Sequence, residues 1–164
     1  MKALKATIAV LALALSACSG GGSGDSPTSP QGLTPADVEA HSFALVNEAR
    51  SENNRKELTF HPGLADVARA HSEAMRDQGF FGHRNPQGQG LRGRLNAASI
   101  RFSSASENLA QVVDGQQPGL IAHHFLMDSA EHRDNILNPA FTRVGVGVAQ
   151  DGDAWWITQV FIKP

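Results

Sequence analysis

The chain has 164 residues, and its 14 Lys and Arg against 16 Asp and Glu give a formal net charge of −2 with histidine neutral. This balance argues against nucleic acid as the main partner, because proteins that bind nucleic acid gather positive charge to neutralise phosphates. The single cysteine excludes a disulfide within the chain.

Residues 1–17 are predicted to be a signal peptide rather than part of the fold. Two lysines precede an apolar run over residues 6–15, which is the length of the central region of a secretory signal. The run ends in Leu-Ser-Ala-Cys18, which resembles the lipobox of bacterial lipoproteins, where cleavage before the cysteine leaves lipid on that residue. We therefore expect a membrane anchor at Cys18 and a location in the cell envelope, at the outer membrane or facing the periplasm.

Residues 18–32 are interpreted as the lipidated cysteine and a flexible tether. The sequence after Cys18 is SGGGSGDSPTSPQG, which contains no apolar residue that could be buried in a core. The remaining residues, 33–164, have the length of one ordinary domain with a core of its own. We expect this domain to be a monomer.

The first half of the domain predicts helices. Thr34-Pro35 is a helix start, with Thr34 as the cap, and this helix is expected to end between Arg50 and Asn54. A second helix is predicted from Pro62 to about Gly79, with His71 on its apolar face as an interior histidine. A short helix is expected over residues 91–98.

The second half predicts an extended segment over residues 105–113 and a third helix from Pro118 to about Ala130, with Phe125 on its apolar face. A loop carrying His132 is expected to follow. Residues 143–150 and 154–162 are strand-like and are joined by Asp151-Gly152, a dipeptide that suits a type I′ turn. The last strand is apolar on both faces, so helices should cover both sides of the sheet.

Seven segments of the domain form a recognisable set, and they are LVNEAR, ADVARAHSEAM, FFGH, ENLA, SAEHRDNIL, FTRVGVGV and WWITQVF. Together they resemble the CAP superfamily, which joins cysteine-rich secretory proteins, antigen five and plant pathogenesis-related proteins. They occur in the family's order, cover nearly all of residues 36–163, and are most similar to small bacterial members without disulfides. The resemblance implies an α+β fold, a three-layer α/β/α sandwich with a central, mostly antiparallel sheet.

The resemblance also implies a surface cleft that holds two histidines and two glutamates. Three of these positions carry over to this chain, as His83, Glu107 and His132. At the fourth position, three residues before the second histidine, the chain has Ser129, and Asp128 or Glu131 beside it is a further candidate. Two imidazoles and a carboxylate suit zinc or another divalent metal. The alternative is a hydrogen-bonded network of the same residues without a metal.

Several functions remain open for such a cleft. A metal-bound water with Glu107 as base would hydrolyse peptide or ester bonds, and Ser129, His132 and Glu107 could instead act as nucleophile, base and orienting acid. Family members also bind sterols and fatty acids, so enzyme activity is an open question. We expect metal-dependent recognition of an extracellular or envelope ligand, which would be a small molecule, a lipid or a peptide. The alternatives are a metal-independent lipid or sterol-like binder and a structural or adhesive envelope protein.

Overall fold

The structure is a computed structural model that describes residues 32–113 and 116–164. The predicted signal peptide, the lipidated Cys18 and nearly all of the predicted tether lie outside the described residues. Gly32–Pro164 forms one compact unit. None of the described helices is long and apolar enough to cross a membrane. The elements in chain order are α1 (Pro35–Glu52), β1 (Thr59–Phe60), α2 (Pro62–Gln78), α3 (Leu91–Ala97), β2 (Ser104–Val113), α4 (Pro118–Asp128), α5 (Ala130–Leu137), β3 (Arg143–Asp151) and β4 (Ala154–Lys163).

The strands form one sheet in the order β1-β3-β4-β2. The β2–β4 and β3–β4 pairs are antiparallel, and β1 runs parallel to β3 over two residues. One core lies between the sheet and helices α1, α4 and α5, and a second core lies between the other face of the sheet and helices α2 and α3. The predicted α+β sandwich with a mostly antiparallel sheet is therefore confirmed.

Helix α2 packs directly on two glycines of β3. The valines of the Val-Gly-Val-Gly-Val run belong to the core under α1, so Gly145 and Gly147 point to the opposite face. A Cβ added to Gly145 would overlap the backbone of Leu64 and Ala65, and one added to Gly147 would overlap that of Ala68 and Arg69. The absence of side chains at these two positions sets the distance between helix and sheet.

The predicted loop around His132 is wrong, because His132 lies within helix α5. Ser129 alone interrupts the helix with extended backbone angles (φ −82°, ψ 121°), and the Arg133 N–H then donates to the Ser129 carbonyl at 2.9 Å. Asn135 does not end the helix, although asparagine often competes for nearby backbone groups. Its amide instead donates to Asn108 Oδ1 at 2.9 Å, which is a tertiary contact that the local sequence does not reveal.

Helix α4 turns a different face inward from the one predicted. Phe125, predicted on the apolar face, is 60% exposed, whereas Gly119, Ala122 and Leu126 are buried. The small residues Gly119 and Ala122 let α4 approach α1 closely: a Cβ added to Gly119 would lie 3.5 Å from Val38 Cγ1. The close packing of α4 against α1 therefore sets which face of α4 is buried, although this leaves the large side chain of Phe125 exposed.

The hairpin turn lies one residue later than predicted. Asp151 pairs with Ala154, so the two turn residues are Gly152 and Asp153. Gly152 has a φ of +56°, and Asp153 is not among the residues with positive φ. The predicted type I′ turn is wrong because that turn needs positive φ at both central residues.

The side chain of Glu39 accepts a hydrogen bond at the open edge of β3. Glu39 of α1 accepts from the Val148 N–H at 3.0 Å and from Arg69 of α2 through two bonds of 2.8 Å. Since β1 pairs only with Arg143 and Val144, Glu39 satisfies a donor that β1 does not reach. The Glu39–Arg69 pair therefore joins the two helical layers around the sheet edge.

We expect Glu39→Ala to lower the free energy of unfolding by about 2 kcal/mol, because it leaves the Val148 N–H and Arg69 without their acceptor. Urea denaturation followed by tryptophan fluorescence measures this loss. Glu73→Ala, at an exposed position of α2, is the control and should change stability by less than about 0.5 kcal/mol. Equal effects of the two substitutions would contradict the role given to Glu39.

Candidate functional site

The candidate site is centred on Glu107, a residue of β2 whose side chain is 2% exposed. One carboxylate oxygen contacts His83 Nδ1 at 2.9 Å, and the other accepts from Arg94 Nη2 at 2.5 Å. A buried carboxylate is tolerated only when it is paired and hydrogen-bonded, and both conditions are met here. Glu107 thus forms a buried ion pair with Arg94 and a second bond to an exposed imidazole.

Three segments position this cluster. Glu107 is held in register by its pairing with Val160 of β4. Arg94 lies on α3, which is fixed by the fully buried Leu95, and its Nη1 also donates to the His83 carbonyl at 3.1 Å. Arg94 therefore links α3, the chain after α2, and β2. Sequence reasoning did not identify Arg94, since its partner Glu107 is 13 residues away and on a different element.

His71 of α2 lies at the inner side of the cluster. It is 1% exposed, and its Nε2 contacts the Gly82 carbonyl at 3.0 Å, which confirms the predicted interior histidine. Burial lowers the pKa of His71, and the Glu107 carboxylate partly offsets this effect. His83 behaves in the opposite way, because its hydrogen bond to Glu107 raises the pKa of its imidazole.

We expect NMR titration to place the pKa of His83 above the reference value of about 6.5 and that of His71 below it. The stability that His83 contributes is complete below about pH 6.5 and is lost as pH rises through its folded-state pKa. The contribution of neutral His71 is complete above about pH 6.5 and is lost as pH falls through its folded-state pKa.

Glu107→Gln serves as the control for this titration, because it removes the charge that favours protonated His83. The pKa of His83 should then move back toward its ordinary value. A wild-type His83 that titrates at or below the reference value would contradict the assigned hydrogen bond.

His132 contacts the next residue of the same strand, Asn108, through its backbone. Its carbonyl accepts from Asn108 Nδ2 at 3.1 Å, and Asn108 also contacts Gln159 and Asn135. Neighbouring residues of a strand point to opposite faces, so Glu107 points toward α2 and α3 while Asn108 points toward α5. The structure joins His83 and Glu107 directly, and it connects His132 to Asn108 instead.

Ser129 and Glu131 do not join the cluster. Ser129 lies at the junction of α4 and α5 and makes no side-chain cap bond, and Glu131 is exposed in the first turn of α5. His132 Nδ1, the nitrogen that an orienting carboxylate would hold in a triad, is buried without a hydrogen-bond partner. Ser129, His132 and Glu107 are therefore not assembled into a nucleophilic triad.

The cluster does not fit a divalent metal in this arrangement. Among residues 32–113 and 116–164, no group of three or more His, Cys, Asp and Glu side chains is arranged to hold an ion. Both Glu107 oxygens already have partners, and the Arg94 guanidinium adds positive charge beside the carboxylate.

A cavity of about 510 Å³ lies between α2 and α3 beside the cluster. His71 and Arg94 belong both to the cluster and to the cavity wall. The volume falls in the range of small-molecule sites, about 300–1,000 Å³. The other lining residues are Gly63, Asp66, Val67, Ala70, Ala74, Asn85, Gln89, Ala97 and Ala98.

Comparison with known proteins identifies the family. Residues 43–161 match the sequence model of the cysteine-rich secretory protein family, CAP. The chain belongs to the CAP family. An extracellular protein of Bacillus anthracis that contains an SCP domain has the same fold, with a TM-score of 0.71 and 34% identity over 80% of this chain and 44% of that one.

Two further relatives define the extent of the similarity. YkwD of Bacillus subtilis is 34% identical over 131 residues, which are 78% of this CAP chain and 49% of that protein. An outer surface protein of Borrelia burgdorferi has a TM-score of 0.72 at 15% identity, covering 81% of this chain and 97% of that one, and shows likeness of fold alone. The chain spans about half the length of YkwD.

Proposed function

We propose that this CAP domain is an extracytoplasmic binding module that takes a small apolar molecule, such as a lipid chain or a sterol-like ligand, into the cavity between α2 and α3 without a metal. The observation that carries this proposal is the cavity itself, whose wall surface is mostly apolar and whose polar lining residues include His71 and Arg94. Apolar walls with a few convergent polar groups are the usual composition of a small-molecule site.

The cavity owes its room to short side chains. Ala70 and Ala74 of α2 face Ala97 of α3 and the adjacent Ala98 across the cavity. An apolar ligand would remove these surfaces from water, at about 25 cal/mol per Å² buried. His71 and Arg94 would meet a polar end of the ligand, and the charge of Arg94 is already balanced by Glu107.

The geometry favours binding over hydrolysis. A general base must be free to accept a proton from water, but both oxygens of Glu107 are engaged by His83 and Arg94. Breaking the contact with Arg94 would leave a buried carboxylate without its ion pair. The cluster is therefore better suited to holding the cavity open than to activating a nucleophile.

A fluorescent fatty acid, cis-parinaric acid, tests the proposal. We expect Ala70→Phe and Ala74→Phe each to weaken its binding at least about tenfold, since each fills the site. Ala40→Phe, at an exposed position of α1, is the matched control and should bind like wild type. Binding should also survive chelator, and calorimetry should detect no one-site zinc binding that depends on Glu107.

Unchanged binding in both cavity variants would contradict the proposed site and would favour a structural or adhesive role. Loss of fatty-acid binding on chelation would instead restore the metal-dependent hypothesis, with zinc or another divalent ion held by His83 and His132.

The extracytoplasmic location is supported by the signal-like N-terminus and by relatives described as extracellular or outer surface proteins. We expect Cys18→Ala to move the protein from the membrane fraction to the soluble fraction, because the acyl chains supply the anchor at ~0.8 kcal/mol per buried methylene. Fractionation and immunoblotting measure the shift, and the melting temperature of the domain should not change. Retention of the variant in membranes would exclude a lipid anchor at this cysteine.

A further inference from the structure

The segment from Gln78 to Ser106 carries a positive charge on an otherwise acidic domain. It contains four arginines and neither Asp nor Glu, whereas the other residues of 33–164 include eight Lys and Arg against fifteen Asp and Glu. Arg94 is neutralised by Glu107, but Arg84, Arg92 and Arg101 form no ion pair with any described residue. Three unpaired cations are thus concentrated in one stretch of chain.

Two of these arginines line a second cavity, of about 480 Å³, at the start of α3. Its wall includes Arg84, Arg92, three glycines and the side-chain amides of Gln89 and Asn96. The glycines leave backbone groups accessible from the cavity, and the amides offer further hydrogen-bond donors. No carboxylate lines this cavity, so its polar groups are suited to an anion.

Each guanidinium group is exposed but makes a contact within the chain that restricts it. Arg84 Nη1 donates to the Gly88 carbonyl at 2.9 Å, and the Arg84 side chain lies against Gly90, 3.6 Å from the position of an added Cβ. Arg92 is stacked over Phe102, with Cζ 5.2 Å from the ring centre. Because the two side chains are already restricted, they lose less conformational entropy when a ligand binds.

We propose that this cavity binds the phosphoryl group of a phosphate ester through Arg84 and Arg92. The planar guanidinium fork matches phosphate oxygens and forms charge-assisted hydrogen bonds with them. Because the rest of the domain is acidic, long-range attraction does not draw anions to it, and recognition depends on this local site. Only Gln89 is shared with the cavity between α2 and α3, so this proposal and the proposed function can fail independently.

The phosphate ester could belong to a lipid headgroup or to a soluble molecule, and two probes distinguish these sources. The chain from Ser19 to Pro164, which contains the compact unit Gly32–Pro164 but not Cys18, is mixed with vesicles of phosphatidylcholine with or without 30% phosphatidylglycerol. Glycerol 3-phosphate is titrated separately and is also tested as a competitor. Binding confined to anionic vesicles identifies a lipid headgroup, and binding of glycerol 3-phosphate without vesicle binding identifies a soluble ester.

We expect Arg84→Gln/Arg92→Gln to weaken binding of the responsive probe by roughly 25-fold, about fivefold for each cation near an anionic surface. Arg55→Gln/Lys56→Gln removes the same charge from an exposed site outside the segment and should weaken binding less than about threefold. Arg84→Lys/Arg92→Lys, which keeps charge but not the fork, should fall between them. Failure of wild type to bind either probe, or equal losses in the first two variants, would overturn the proposal.

Discussion

Gly147→Ala is expected to lower the free energy of unfolding by about 3–5 kcal/mol, which is a large share of the 5–15 kcal/mol that holds a typical domain together. The new methyl group would overlap the backbone of Ala68 and Arg69, and a helix backbone cannot rotate away as a side chain can. Relief would require α2 to move off β3 and open the core beneath it. Urea denaturation followed by the fluorescence of the buried Trp155 measures the loss.

Gly82→Ala is the matched control for this experiment, because a Cβ at Gly82 has no atom within 4 Å. It should change stability by less than about 1 kcal/mol. If Gly147→Ala unfolded at the same urea concentration as wild type, the direct packing of α2 on β3 would be wrong.

Arg94→Met is the second substitution with a large expected effect, about 3–5 kcal/mol of stability, because it leaves the Glu107 carboxylate buried without its ion pair. The more exposed His83 supplies only one of the two bonds that the carboxylate receives. Methionine keeps much of the length and aliphatic packing of arginine, so the loss reports mainly on the charge. Thermal and urea unfolding should agree on its size.

The double substitution Arg94→Met/Glu107→Gln separates charge from packing. Replacing the carboxylate by a neutral amide removes the uncompensated charge, so the double variant should recover most of the stability that the single variant loses. A double variant as unstable as Arg94→Met alone would mean that Arg94 acts through packing.

The sequence predicts most of the elements because their signals are local. Thr34 caps α1 through a capping box with Asp37, as the Thr-Pro start indicates, and apolar periodicity predicts the buried side of α2 with His71. The covering of both sheet faces follows from a last strand that is apolar throughout. The family resemblance predicts that His83 and Glu107 lie in the same cleft. Their separation in the sequence alone does not predict this contact.

The remaining features depend on contacts between distant parts of the chain. Ser129 interrupts the helix for one residue only, and α5 resumes with Asn135 bonded to Asn108 of β2. The acidic partner of Arg94, Glu107, lies on a different element. Gly145 cannot carry a side chain because the backbone of α2 packs directly on it. No local pattern encodes these partners, so the cavity and the buried ion pair became visible only in the assembled fold.

Binding in the cavity without a metal is tested by backbone NMR of the chain from Ser19 to Pro164, titrated with oleic acid in the presence of EDTA. We predict saturable chemical-shift changes concentrated on the facing walls of the cavity, at residues 67–74 of α2 and 94–98 at α3, with little change in α1 and α4. Shift changes located elsewhere, or binding that appears only after zinc is restored, would contradict a metal-independent apolar site between α2 and α3.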